Sequence, residues 1–182
     1  MVAMFKGGHR HKPAPILVTL VIGAVMWVPP QATAKPEIGC ALRIQRGEPA
    51  HHVGTNGDDE CNGLSGRDFM RGLRGDDRLR GMKSRDTVKG DRGADLVEGR
   101  LGDDRVMGGR GADFLKGDRG NDKLLGGRGP DIICLGRGID RATSQDGARD
   151  RLYSARAHDH VVVDRRDMVS ASRCPKARRR HR

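Results

Sequence analysis

Hydrophobic and polar positions repeat with a period of nine residues between Gly54 and Thr143. Ten consecutive nonapeptides align there without a gap, and only their eighth position is apolar throughout. The eighth position holds Cys61, Met70, Leu79, Val88, Val97, Val106, Leu115, Leu124, Ile133 and Ala142. One inward side chain between two outward positions predicts a short β-strand in every repeat.

Glycine separates these predicted strands. It occupies the first position of every repeat except at Leu135, and the fourth position of every repeat except at Ser84. Glycine allows positive φ and tight turns, so we expect both positions to turn the chain. A helix is excluded, because each interior glycine costs about 1 kcal/mol relative to alanine. Stacked turn-and-strand units therefore predict an all-β solenoid.

Aspartate occupies the sixth position of all ten repeats. Stacking would align these carboxylates, and their mutual repulsion calls for a cation between them. Carboxylates and free carbonyl groups, with no histidine or thiolate in register, suit Ca²⁺ better than Mg²⁺, because Ca²⁺ accepts six to eight oxygens in adaptable geometry. In the alternative interpretation, single aspartates cap turns or pair with third-position arginines such as Arg92, Arg110 and Arg119.

Three neighbouring repeats carry a family resemblance. GGRGADFLK (108–116), GDRGNDKLL (117–125) and GGRGPDIIC (126–134) resemble the RTX calcium-binding nonapeptide repeats of secreted bacterial proteins. The resemblance implies a parallel β-roll with two repeats per turn, in which sixth-position aspartates and carbonyl groups of the glycine loops bind at most about eight calcium ions.

The resemblance also assigns candidate ligands. One flank would hold Asp59, Asp77, Asp95, Asp113 and Asp131, and the other Asp68, Asp86, Asp104, Asp122 and Asp140. The expected backbone ligands belong to Gly90, Gly93, Gly99, Gly102, Gly108, Gly111, Gly117, Gly120, Gly126 and Gly129.

The segments around the repeats predict caps and an exported chain. Residues 35–53 are expected to form an N-terminal cap, residues 144–170 degenerate repeats that cap the other end, and residues 171–182 a basic tail. Residues 1–34 resemble a secretory signal peptide, because the apolar run 16–28 is too short to span a membrane and Ala32-Thr33-Ala34 offers a cleavage site after Ala34. We therefore expect a secreted, extracellular protein with no stable membrane span.

The four cysteines predict disulfides, since an even number in an exported chain favours pairing. Three pairings are possible. Cys61 lies at an inward position near one end of the repeats and Cys134 at an outward position near the other, which favours Cys40–Cys61 and Cys134–Cys174.

The charge distribution and the sequence motifs limit the range of possible functions. The net charge of +11 arises mainly outside the repeats, because residues 54–143 hold 18 basic and 17 acidic residues whereas residues 144–182 hold 11 and 5. The aspartates argue against nucleic acid, while the basic tail suits an anionic surface polymer. There is no H-E-x-x-H motif, and the segment 63–66 (GLSG) is one residue short of a nucleophile elbow.

The sequence predicts a secreted calcium-binding protein that folds on binding Ca²⁺ and has no catalytic activity of its own. The alternatives are an accessory or adhesion module that binds an anionic cell-surface polymer, and a remnant C-terminal module of a secreted hydrolase.

Overall fold

The structure, a computed structural model, describes residues 40–43, 50–154 and 158–177. The predicted signal peptide, its cleavage site after Ala34 and residues 178–182 of the basic tail lie outside the described residues. Within them, all regular elements are β-strands. They are β1 (Ala41–Arg43), β2 (Ala50–Val53), β3 (Glu60–Asn62), β4 (Asp68–Arg74), β5 (Arg78–Lys83), β6 (Thr87–Arg92), β7 (Leu96–Leu101), β8 (Arg105–Arg110), β9 (Phe114–Arg119), β10 (Lys123–Arg128), β11 (Ile132–Arg137), β12 (Arg141–Ser144), β13 (Arg151–Tyr153), β14 (His160–Val163) and β15 (Met168–Ser170).

From β2 onward, successive strands alternate between two sheets in which they pair in parallel. One sheet has the order β1-β2-β4-β6-β8-β10-β12-β14 and the other β15-β13-β11-β9-β7-β5-β3. Leu124 pairs with Val106 and with Ala142, so the register advances by two nonapeptides per turn. Among the strands of the described residues, only β1 is antiparallel to its neighbour. The all-β parallel solenoid is thus confirmed, although "about ten repeats" is slightly off, because the ladders extend from β2 to β15 and make about six turns.

The eighth-position side chains form the core between the two sheets. All ten are buried, with exposed fractions between 0% and 3%. Leu152 of β13 continues this row, and Leu135, which replaces a first-position glycine, is also fully buried. The period-two alternation of each strand explains this arrangement, since one inward residue lies between two outward ones.

The expected reason for the first-position glycines is wrong. Positive φ occurs at the second position from Leu73 onward and at the fourth position from Gly75 onward, but at none of the first-position glycines. Non-glycine residues accept this strained conformation at Leu73, Met82, Ser84, Asp91, Arg100 and Asp118, with φ between 71° and 86°. The first-position glycine is required for a different reason, which is close packing against the aspartate of its own repeat.

The predicted cap at 144–170 contains β13, β14 and β15, which continue both parallel ladders. Disulfides join Cys40 to Cys61 and Cys134 to Cys174, with Cα–Cα distances of 5.4 Å and 5.6 Å. These are the pairings that the repeat positions favour. Within the described ranges, no helix is long and apolar enough to cross a membrane.

Candidate metal centre

The sixth-position aspartates form two continuous ladders, one along each flank of the solenoid. The backbone N–H of each aspartate donates a hydrogen bond to Oδ1 of the aspartate one turn further on; for Asp95 and Asp113 the N–O distance is 2.9 Å. The ladders follow the two sets that the resemblance implies. Asp150 and Asp167 extend one ladder and Asp159 the other. These three aspartates were not among the predicted ligands.

The second carboxylate oxygen distinguishes the middle of each ladder from its ends. In seven middle aspartates Oδ2 is buried and accepts no hydrogen bond: Asp77, Asp86, Asp95, Asp104, Asp113, Asp122 and Asp131. Near the N-terminal end, the backbone N–H groups of Thr55 and Leu64 donate to Oδ2 of Asp59 and of Asp68, both at 2.6 Å.

At the C-terminal end, serine hydroxyls take over this role. Ser144 donates to Oδ2 of Asp150, and Ser154 donates to Oδ2 of Asp159. Groups of the protein therefore donate to the second carboxylate oxygen at the ends of the ladders. In the seven middle aspartates this oxygen has no donor.

Each middle Oδ2 faces a space that a first-position glycine keeps open. A Cβ atom built on Gly90 would lie 2.1 Å from Oδ2 of Asp95 and 2.8 Å from the carbonyl oxygen of Gly108. Gly72, Gly81, Gly99 and Gly108 have the same two kinds of neighbour. A carboxylate oxygen that accepts no hydrogen bond and a carbonyl oxygen thus share one small space, and either a cation or a proton can relieve their repulsion.

Burial raises the pKa of these carboxyl groups. The pKa rises from 3.8 to about 7 for Asp95 and to about 8 for Asp131, in each case chiefly by desolvation and against the lowering effect of the backbone hydrogen bond. Neighbouring aspartates raise both values further. The pKa is about 6 for Asp77, Asp104 and Asp113, and about 7 for Asp86 and Asp122. Near neutral pH the metal-free ladder therefore holds protons on part of its carboxyl groups.

The donor set fits calcium. Within the described residues, no three Asp, Glu, His or Cys side chains lie close enough together to hold a metal ion. The aspartates can therefore supply only part of a coordination shell, and backbone carbonyls or water must supply the rest, a mixture that Ca²⁺ accepts. The first-position carbonyls approach the carboxylates, as at Gly108 beside Asp95, and the fourth-position carbonyls stack on the glycine one turn on, as at Gly75 beneath Gly93.

The alternative pairing with third-position arginines is not formed. The side chains of Arg92, Arg110 and Arg119 make no hydrogen bond or ion pair with any described residue. The aspartates instead bond to one another's backbone, as described above.

A second, outer ladder was missed at the fifth position. Oδ1 of Asp76 accepts the N–H of Ala94 at 2.8 Å, and Oδ1 of Asp103 accepts the N–H of Asn121 at 2.9 Å. The hydrogen bond from Asn121 and that from Arg85 lower the pKa of Asp103. Aspartate or asparagine at fifth positions 58, 76, 103 and 121 was the sequence signal for this ladder.

The stretch of chain that forms the repeats matches a known protein family. The family described as RTX calcium-binding nonapeptide repeat (4 copies) matches residues 53–87, 71–106, 80–115, 98–133 and 107–142. Together these matches span residues 53–142, about half of the chain. No curated protein matches the chain.

Proposed function

Since residues 53–142 belong to the RTX calcium-binding nonapeptide repeat family, we propose that the protein binds several calcium ions along its aspartate ladders and folds when it does so. The aspartates of the middle coils are the proposed ligands, together with main-chain carbonyls. The coils at the two ends, where the protein itself donates to the second oxygen, bind calcium weakly or not at all in this proposal.

One observation supports this proposal above all others. Seven buried carboxylate oxygens have no hydrogen-bond donor, and they occur in consecutive repeats from Asp77 to Asp131. A buried, ionised and unpaired carboxylate is among the most costly groups in a protein interior. A divalent cation shared between neighbouring coils removes that cost and supplies the positive charge that the interior lacks.

Linkage gives the size of the effect. A site that binds only the folded chain adds about 1.4 kcal/mol when the free calcium concentration is about ten times its Kd. Several sites together reach the order of a domain's whole stability, which is about 5–15 kcal/mol. Calcium would therefore determine whether the roll is folded.

RTX repeats and disulfides are typical of extracellular proteins. We propose that the protein is secreted by the signal peptide expected at 1–34 and that it has no catalytic activity of its own. Binding of an anionic polymer through the basic tail stays a prediction, since residues 178–182 lie outside the described part. The hydrolase-module alternative also stays open.

Calcium titration of the protein tests the proposal, with far-ultraviolet circular dichroism for folding and calorimetry for stoichiometry. At pH 8 we expect a disordered spectrum in chelator and a β-rich spectrum in calcium. The variant Asp113→Asn removes a carboxylate whose second oxygen has no donor, and we expect it to lower the number of bound ions or their affinity.

The matched control is Asp150→Asn, because Ser144 already donates to the second oxygen of Asp150. We expect this variant to keep the calcium stoichiometry of the parent protein. The same dichroism spectrum with and without calcium would contradict the proposal, as would equal losses of bound calcium in the two variants.

A further inference from the structure

Folding separates the charges of the repeats. Residues 54–143 contain 18 basic and 17 acidic residues. Ten of the acidic residues are the ladder aspartates, which are buried, and Glu98 is buried as well. Every basic residue of this range is exposed or partly exposed. A region that is almost neutral in sequence therefore has a strongly cationic exterior.

Part of this charge forms a regular row, the arginine ladder, which consists of Arg74, Arg92, Arg110 and Arg128. These arginines lie on β4, β6, β8 and β10 and pair in register with one another. All four are exposed. Their side chains form no hydrogen bond or ion pair with any residue that the structure describes.

The same sheet presents a second, shorter row. Arg105, Lys123 and Arg141 also pair in register, and all three are exposed with no ion pair among the described residues. Of the acids near the two rows, Asp91 already pairs with Arg71 at 2.8 Å and with Lys89 at 2.6 Å, and Asp103 pairs with Arg85 at 3.3 Å. The cations of the two rows therefore have no ion-pair partner among the described residues.

On the other sheet, several cations form ion pairs with acidic side chains. Arg80, Arg100 and Lys116 gather around Glu98 at N–O distances of 3.3, 2.6 and 3.7 Å. Lys116 and Arg100 also approach Asp118. At the third position this sheet has Lys83, Leu101, Arg119 and Arg137, so its row of cations is interrupted.

The arginine ladder costs stability in the isolated protein. Neighbouring strands are about 4.8 Å apart, and like charges directly opposite one another on a sheet are destabilising. Four such charges in an unbroken row, with no acid among them, fit a partner that supplies negative charge at a similar spacing.

We propose that the arginine ladder binds a linear acidic polysaccharide lying along the solenoid axis, across the strands. A guanidinium group binds a carboxylate or sulfate through two parallel hydrogen bonds, and a row of guanidinium groups suits a chain that carries such groups at regular intervals. This inference goes beyond calcium binding and rests on the fold alone.

Charge and composition favour a polysaccharide over a single-stranded nucleic acid. Single strands bind mainly by stacking bases on aromatic rings along a cationic groove. Among the described residues of β4, β6, β8 and β10, only Phe69 has an aromatic ring. This ring already contacts the His51 ring of β2, with a centroid distance of 5.4 Å. The disulfides also favour an extracellular partner.

The test uses the protein in calcium with dextran sulfate as the probe and uncharged dextran as the blank. The variant R92Q/R110Q/R128Q removes three charges from the arginine ladder. The matched control K83Q/R119Q/R137Q removes three charges from the same repeat position on the other sheet. We expect the first variant to bind dextran sulfate at least about tenfold more weakly, because charge-assisted contacts are lost, and the control to change affinity by less than about threefold.

Folding is followed in the same samples by dichroism and thermal melting. The arginine-ladder variant should melt no lower than the parent protein, because it loses like-charge repulsion. Equal weakening in both variants would overturn the proposal in favour of a net-charge effect. So would the absence of dextran sulfate binding by the parent protein, or tighter binding of polyuridylate or of phosphatidylglycerol vesicles.

The outcome is independent of the proposed calcium function. A protein that folds without calcium would refute calcium-driven folding in the dichroism measurement, and the comparison of the two variants would still decide whether the arginine ladder binds the polysaccharide.

Discussion

At the scale of single residues, the two glycines that recur in the repeats have separate physical roles. The first-position glycine leaves room for the second oxygen of the aspartate five residues later, as Gly90 does for Asp95. The fourth-position glycine lets consecutive turns approach, and it has positive φ from Gly75 onward. A rule based on φ alone would assign both glycines the same role.

Gly93→Ala tests the close approach of the turns. A Cβ atom on Gly93 would lie 1.7 Å from the carbonyl oxygen of Gly75, and φ at this position is +133°. The carbonyl oxygen belongs to the backbone, and the backbone of residue 93 fixes the position of the Cβ atom, so neither atom can move aside. We therefore expect a loss of more than about 3 kcal/mol in the free energy of unfolding, measured in calcium by denaturant titration.

The matched control is Gly66→Ala, at the fourth position of an earlier repeat. A Cβ atom there would have no neighbour within 4 Å, and its φ is outside the left-handed range. We expect a change within about 0.5 kcal/mol. Similar stabilities of the two variants would show that the turns do not pack as closely as described.

Repeat position alone predicts much at this scale. All ten eighth-position side chains are buried as the alternation requires. The division of the ten sixth-position aspartates between two ladders was expected from the family resemblance. The positive φ values of Met82 and Arg100 could not be predicted in the same way, since a side chain at such a position gives no compositional signal. Their strain follows from the strand register of the whole roll.

At the scale of strands and turns, the ends of the solenoid differ from its middle. Ladder hydrogen bonds join residues 18 apart in the repeats, but 19 and 17 apart beyond Asp131. Apart from Gly147, the turn glycines are lost after Thr143, and serines occupy the places facing the aspartates. In the terminal coils, groups of the protein itself therefore donate to the second oxygen of the aspartates.

Ser144→Ala tests this difference. The substitution leaves the buried second oxygen of Asp150 without its donor, and we expect the free energy of unfolding in calcium to fall by about 1–3 kcal/mol. Ser172→Ala serves as the control, since the hydrogen bonds of Ser172 to Ser170 are exposed, and should change stability by less than about 0.5 kcal/mol. A silent Ser144→Ala variant would mean that another donor reaches Asp150.

The strands themselves could be predicted, but their arrangement could be predicted only in part. Period-two alternation places a strand in each repeat, whereas parallel pairing with two repeats per turn was expected from the family resemblance. The antiparallel pairing of β1 with β2 was not expected, because residues 41–43 share no register with the repeats. The aspartates of residues 144–170 were expected only as part of degenerate repeats, because their spacing is irregular.

At the scale of the whole molecule, the two aspartate ladders couple stability to pH. A carboxyl group with a higher pKa in the folded state than in the unfolded state binds more protons when folded, so stability falls as the pH rises between the two values. The pKa of the middle aspartates rises from 3.8 to between about 6 and about 8. Protons and calcium then compete for the same oxygens.

We therefore expect opposite pH dependences with and without calcium. In chelator and about 0.15 M salt, which screens the surface charges, the melting temperature should fall as the pH rises from 5, until no folding transition is left at pH 8. Calcium affinity over the same interval should increase, because the carboxyl groups lose their protons. Thermal melts and calcium titrations at several pH values measure both trends, and a chelated protein that is equally stable at pH 5 and pH 8 would contradict this view of the ladders.

Folding buries most acidic residues of the repeats and leaves the basic residues at the surface, which the composition does not show. The formal charge of the repeats suggested an electrically balanced surface, with the basic excess confined to the tail. Burial of the aspartates makes the exterior cationic instead, and only the strand register shows which arginines lie side by side. The basic tail was therefore not the only candidate for contact with an anionic partner.

The two-repeat turn has a consequence for how such a gene can lengthen. Duplication of eighteen residues inserts one strand into each sheet, extends the axis by about 4.8 Å and leaves every downstream residue on its own side. Duplication of nine sends all later strands to the opposite sheet, which would split the row of Arg74, Arg92, Arg110 and Arg128 between two sides. The surface pattern therefore survives the duplication of an even number of repeats, but not of an odd number.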